Sequence, residues 1–130
     1  MNVVDSSGWL EYLAEEPNAD FFAPALLEIE ALLVPAIAIL EVGKVVHRER
    51  GEQAAIQTMA LMEQGTVIDL DAELARSAVA LAIAHHLPLA DSIILATARA
   101  FRADVWTQDS DFKGIPGVHY IEKVKSRSKS

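Results

Sequence analysis

The sequence predicts an α/β fold of three layers, α/β/α, with a central parallel sheet of about five strands. Three observations carry this expectation. Short apolar runs alternate with longer segments whose apolar residues recur at helical spacing. The short runs are apolar almost throughout, as strands covered on both faces must be. Acidic residues then fall just beyond strand candidates, where open parallel sheets gather ligands.

Val3-Val4 reads as a short buried strand that stops at Asp5-Ser6-Ser7, with Ser6 or Ser7 placed to cap a helix through Trp9, Leu10 and Leu13. Asn18 to Leu27 predicts a second helix with Phe22, Leu26 and Ile29 on one face, and Leu32-Leu33-Val34 a second strand. Pro35 begins a helix carrying Ile37, Leu40, Glu41, Val45 and Val46 that ends at Gly51. A helix from Glu52 to about Glu63 leads past Gly65 to the strand Thr66-Val67-Ile68. An Ala-rich helix follows over 71–86, is broken at Leu87-Pro88-Leu89, and gives way to a helix opened by Asp91 with Ile94, Leu95, Ala98 and Phe101 on its buried face. Asp104 to Thr107 and Val118 to Ile121 complete the strands. Residues 1–122 are expected to form one domain, with 123–130 a polar basic tail.

At 130 residues, 52% hydrophobic and 23% charged, the chain has a globular composition and the size of a single domain. It has no cysteine, so disulfides and thiolate metal sites are excluded, which fits a reducing cytoplasm. No signal-peptide pattern opens the chain, and the longest apolar run, Leu32 to Leu40, is less than half a membrane span. The expectation is a soluble cytoplasmic protein. A net charge of −8 argues against nucleic-acid binding by the surface as a whole. Cations bound by the acids would change the local field, however, and basic residues cluster at Lys44, His47, Arg48 and Arg50 and in the tail.

Asp5, Glu41, Asp91 and Asp109 each sit in an apolar segment. Taken singly, Asp5, Asp91 and Asp109 have ordinary roles in caps and turns. Glu41 lies between Ile39-Leu40 and Val42-Gly43, where an unpaired charge is costly unless an Arg, a Lys or a metal compensates it. If the four converge at about 5 Å, each like-charged pair costs roughly 3 kcal/mol at an effective dielectric near 20. A shared cation removes that penalty, and oxygen-only ligands favour Mg²⁺ or Mn²⁺ over zinc. The chemistry expected of such a centre is hydrolysis of a phosphodiester by metal-activated water.

Four motifs in order, Val3-Val4-Asp5-Ser6-Ser7, Leu33-Val34-Pro35-Ala36 leading to Leu40-Glu41-Val42, Leu89-Ala90-Asp91-Ser92, and Thr107-Gln108-Asp109-Ser110-Asp111-Phe112, give the chain a resemblance to PIN domains. Within that family it resembles the VapC-type toxins of toxin–antitoxin pairs, over essentially its whole length. The resemblance implies a Mg²⁺- or Mn²⁺-dependent endoribonuclease, a homodimer, and an antitoxin that wraps the toxin and blocks the acidic site. It makes Asp5, Glu41, Asp91 and Asp109 the metal-binding catalytic acids, with Ser6, Thr107 and Asp111 in support. Trp9, Phe22 and Leu26 are candidates for the wall of an antitoxin groove, or for core. His47, His85, His86 and His119 match none of the motifs, and His85-His86 suits a helix end.

Three other functions fit parts of the pattern. A Mg²⁺-binding receiver domain would need paired acids after the first strand, a phospho-accepting Asp after the third and a lysine after the fifth, and this chain has Asp5 followed by serines, with Asp69 and Asp71 in the third place. A non-catalytic PIN-like module could use the acids to bind a basic partner. Cleavage of DNA or flaps would call for an added arch or clamp, for which the chain is short.

Overall fold

In the computed structural model, which describes residues 1–125, β1 (Asn2–Val4), β2 (Leu32–Pro35), β3 (Thr66–Ile68), β4 (Asp104–Thr107) and β5 (Val118–Tyr120) form one parallel sheet in the order β3-β2-β1-β4-β5. The first strand is central, paired with β2 through Val3 and Leu33 and with β4 through Val3 and Val105. Six helices connect and cover the strands: α1 (Ser6–Leu13), α2 (Ala19–Leu27), α3 (Ala36–Arg50), α4 (Glu52–Met62), α5 (Ala72–His85) and α6 (Leu89–Ala100).

Alternation along the strands divides the core into two layers. Val4, Leu32 and Val34 face one way and pack with Trp9, Phe22, Leu26, Ala38, Val42 and Met62 from α1 to α4. Val3, Leu33 and Val105 face the other way and pack with Ile94, Leu95 and Ala98 of α6 and with Phe112. Against α6 lies α5, through Leu74, Ala78, Ile93 and Ala96. The expected three-layer α/β/α fold with five parallel strands is what the chain forms.

Several local expectations need correction. The cap of α1 is Asp5 rather than Ser6 or Ser7, its carboxylate accepting from Gly8 N–H at 3.0 Å. Asp91 does not open α6; Pro88 is the N-cap and Asp91 the third helical residue. Leu40 and Phe101 are exposed rather than core, because each falls on the solvent side of its helix or at its end, and Ile29 lies in an exposed 3₁₀ turn after α2. Pro35 closes β2 and caps α3, while Ile121 lies past the end of β5. Phe22 is sealed in the core and lines no groove; Trp9 and Leu26, almost wholly buried, only floor a small cleft of about 90 Å³ rimmed by Leu27, Ile29 and Leu61. Of the expected basic tail, Lys123 and Lys125 are described and exposed, while Arg127 and Lys129 lie outside the described residues.

Among the described residues no single helix is long and apolar enough to cross a membrane. One pair, α5 and α6, is apolar enough together but turns through 114° at the Pro88 break, and α6 is buried from Asp91 to Ala98.

Candidate active site

The acids gather at the carboxyl end of the sheet, on both sides of the central strand. Asp5 follows β1 directly and its N–H continues the ladder to Trp106 O at 3.1 Å. Its carboxylate is fixed from three directions: Gly8 N–H from α1, Ser7 Oγ–H at 2.8 Å, and Thr107 Oγ1–H at 2.7 Å from the end of β4. The same Thr107 hydroxyl accepts from Asp109 N–H at 2.9 Å, so one buried oxygen sets both the first acid and the backbone of the fourth. Asp109 in turn accepts from Asp111 N–H at 2.9 Å and caps the 3₁₀ turn Ser110–Phe112, which swings Asp111 back beside it. Phe112, fully buried, anchors that turn in the core.

Asp91 enters from the first turn of α6. One carboxylate oxygen each from Asp91, Asp109 and Asp111 lie within 4.8 Å of one another, a spacing that a single cation could bridge. Asp5 is buried at 2% exposure, Asp91 at 9%, Asp109 is half-buried and Asp111 exposed. Glu41 is half-buried on α3 and outside that oxygen cluster; Ser6 Oγ–H donates to it at 2.5 Å, which ties it to the residue next to Asp5. The expectation that all four acids are enclosed by core therefore holds for Asp5 and Asp91 but not for Glu41 or Asp109. The exposed Leu40 shows why: the run around Glu41 wraps a helix with one wet side.

Electrostatics singles out the same place. Burial pushes the Asp91 carboxyl up to about 8, and the neighbouring charges of Asp109, Asp5 and Asp111 add to it. Burial likewise pushes Asp5 up to about 6, despite the hydrogen bonds from Thr107, Gly8 and Ser7 and with a further push from Asp109. Asp91 sits at a helix N-terminus, a position that ordinarily favours a carboxylate. That its pKa rises regardless shows how strongly burial and the like charges oppose ionisation. The donor set is all carboxylate, which suits a hard cation such as Mg²⁺ or Mn²⁺ and would relieve the repulsion on binding it.

A buried polar group beside the acids was not foreseen from sequence. The Glu11 carboxylate, 3% exposed, accepts from Asn18 N–H at 2.8 Å and from Gln108 Nε2–H at 2.9 Å, and Asn18 Nδ2 donates to Gln108 Oε1 at 3.0 Å and to Glu122 O at 3.0 Å. Gln108 precedes Asp109, so this network braces the loop that carries the acid. A polar residue between Thr107 and Asp109 was a visible signal; a glutamate on a helix was not.

The PIN domain family model matches residues 3–118, and the protein belongs to that family. A comparison with curated protein sequences finds no match. Among solved structures the chain is similar to a toxin–antitoxin complex from Klebsiella pneumoniae, with 27% identity, a TM-score of 0.77, and 92% of this chain covering 96% of that one. It is similar in fold to VapC20 of Mycobacterium tuberculosis, described as a toxin cleaving the sarcin–ricin loop, with 17% identity, TM-score 0.74, and coverage of 91% and 97%. A DNA-bound VapBC from Salmonella typhimurium shares 14% identity with TM-score 0.70 over 93% and 96%. These neighbours are a toxin–antitoxin complex, a VapC toxin and a VapBC complex, the group the motifs implied.

Proposed function

We propose that this PIN domain protein is a Mg²⁺- or Mn²⁺-dependent endoribonuclease and the toxin of a toxin–antitoxin pair. The observation that carries the reading is the oxygen cluster of Asp91, Asp109 and Asp111 with Asp5 beside it; the carboxyls of Asp5 and Asp91 are pushed up first by burial and then by the neighbouring acids, a penalty a bound cation would relieve. Asp91, Asp109 and Asp111 would hold the cation, with Asp5 and, through Ser6, Glu41 on its flank. A divalent ion held there would supply positive charge against the scissile phosphate and would favour ionisation of the attacking water.

The chain's own residues do the positioning. Thr107 keeps the Asp5 carboxylate turned into the site and holds the Asp109 backbone at the same time. Glu41, half-buried and tied to Ser6 beside Asp5, is the acid that would take a proton from an attacking water. The Klebsiella pneumoniae structure, a toxin–antitoxin complex, supports an antitoxin partner. An apolar rim of Leu27, Ile29 and Leu61 offers it surface, and the exposed apolar side chains of Val79 and Ile83 on α5, Leu89 on α6 and Leu40 on α3 are those a second copy would cover.

The test is cleavage of a mixed set of structured RNAs by protein free of partner, with Mg²⁺, with Mn²⁺ and with chelator, alongside Asp5→Asn. Metal-dependent cleavage lost in the variant is the expected result. A folded protein that binds Mg²⁺ calorimetrically yet cleaves no RNA in any condition would turn the reading to a non-catalytic PIN module.

A further inference from the structure

We propose that Lys123 and Tyr120 form a substrate subsite next to the acidic centre, taking the phosphate and base of a nucleotide adjoining the one cleaved. The proposal rests on the ribonuclease reading above. An open cleft of about 470 Å³ is lined by Ser7, Asp109, Ser110, Tyr120, Glu122 and Lys123, so one of the clustered acids forms its wall. Past Ser7 and Lys123 the surface continues into a second cleft of about 420 Å³ between α1 and α3, where Arg50 stands. Lys123 is at the junction of the two.

The ammonium of Lys123 is held in place by an unusual anchor. Its Nζ lies 3.6 Å from Glu11 Oε1; the lysine side chain is 65% exposed and the glutamate side chain 2%. Glu11 cannot follow a mobile lysine into solvent, because its two oxygens are engaged by Asn18 N–H and Gln108 Nε2–H. An ammonium has three donors, and an ion pair on one side leaves the others for a phosphate. In a chain of net charge −8, attraction for a polyanion has to come from cations placed at the site rather than from the surface at large. Tyr120 ends β5 on the cleft, with Lys113 Nζ 5.9 Å from its ring centroid. An aromatic ring on the cleft, with the Lys113 ammonium over it, is a stacking surface for a base whose phosphate Lys123 neutralises from the same cleft.

The experiment uses a single-stranded oligonucleotide carrying whichever site the wild-type protein cleaves, and compares Lys123→Gln, Lys123→Arg, Tyr120→Ala and Tyr120→Phe, with melting temperatures as a folding control. Lys123→Gln is expected to raise KM about tenfold with kcat within about twofold, and to lower the slope of log KM against log salt by about 0.7, the single-strand value for one phosphate contact. Lys123→Arg should restore both. Tyr120→Ala should raise KM without altering the salt slope, and Tyr120→Phe should not. Unchanged KM in Lys123→Gln and Tyr120→Ala, with wild-type cleavage intact, overturns the subsite alone. A wild-type protein that cleaves no RNA with either metal overturns the ribonuclease reading and the subsite with it.

Discussion

Asp91 is where function and stability oppose each other. Its carboxylate is buried among three other acids, so the charge that would hold a cation strains the metal-free fold. Asp91→Asn is therefore expected to raise the metal-free melting temperature by about 4 °C, the effect of roughly 1 kcal/mol in a domain of this size, while abolishing metal-dependent cleavage. A melting temperature that fell would mean the side chain contributes more by packing than it costs by charge. Thr107 makes the complementary case: Thr107→Val keeps the shape but removes the donor to Asp5 and the acceptor for Asp109, and activity should fall on the order of 10- to 100-fold, with Thr107→Ser recovering most of it. At this scale Asp5 stood out because it ends an apolar run and Asp91 because it interrupts one, whereas Asp109, between Gln108 and Ser110, stood out only through the family motif. Glu11 and Asn18 were not, since their burial depends on Gln108 and Glu122, roughly a hundred positions away in the chain.

Two glycines separate rigid from yielding contacts between elements. A Cβ on Gly8 of α1 would stand 2.6 Å from Val4 Cγ1 and 2.7 Å from the Phe22 ring, both fully buried, so Gly8→Ala should destabilise by about 1–3 kcal/mol beyond any gain in helix propensity. On Gly43 of α3 the nearest atom would be Met59 Sδ at 2.7 Å, the end of a side chain that can turn aside. Gly43→Ala should be neutral or stabilising by up to about 1 kcal/mol. Urea unfolding of both variants checks the contrast, and equal losses would refute it. Strands and most helix bounds could be read from sequence because continuous apolar runs and helical periodicity are local. The α1 cap could not: Asp5, Ser6 and Ser7 are all capable, and only the pull of Thr107 on Asp5 fixes which residue turns inward.

For the molecule as a whole, Asp5 and Asp91 hold protons more tightly folded than unfolded, where a carboxyl titrates near about 3.9. Between about pH 4 and about pH 8 the native state thus carries more protons, and stability falls as pH rises through that window. In chelator the melting temperature should be higher at pH 5.5 than at pH 8. Mg²⁺ competes with those protons, so its stabilisation should be larger at pH 8 than at pH 5.5. Asp91→Asn should flatten both dependences; a wild-type melting temperature that climbs with pH in chelator would contradict the assignment. The parallel sheet and its ligand end followed from the alternation of elements, whereas the place of Glu41, tied to Ser6 outside the oxygen cluster, depends on the pitch of α3 and was beyond sequence patterning.

The central position of β1 has a consequence for biosynthesis. Asp5 is made well before β4, on which two of its fixings wait: the backbone bond to Trp106 and the hydroxyl of Thr107. A nascent chain still short of that strand has an incomplete sheet and lacks Asp109 and Asp111 altogether. A site built on these residues would therefore stay unassembled on the ribosome until residue 112 had emerged and the 3₁₀ turn that carries Asp111 had folded against β1.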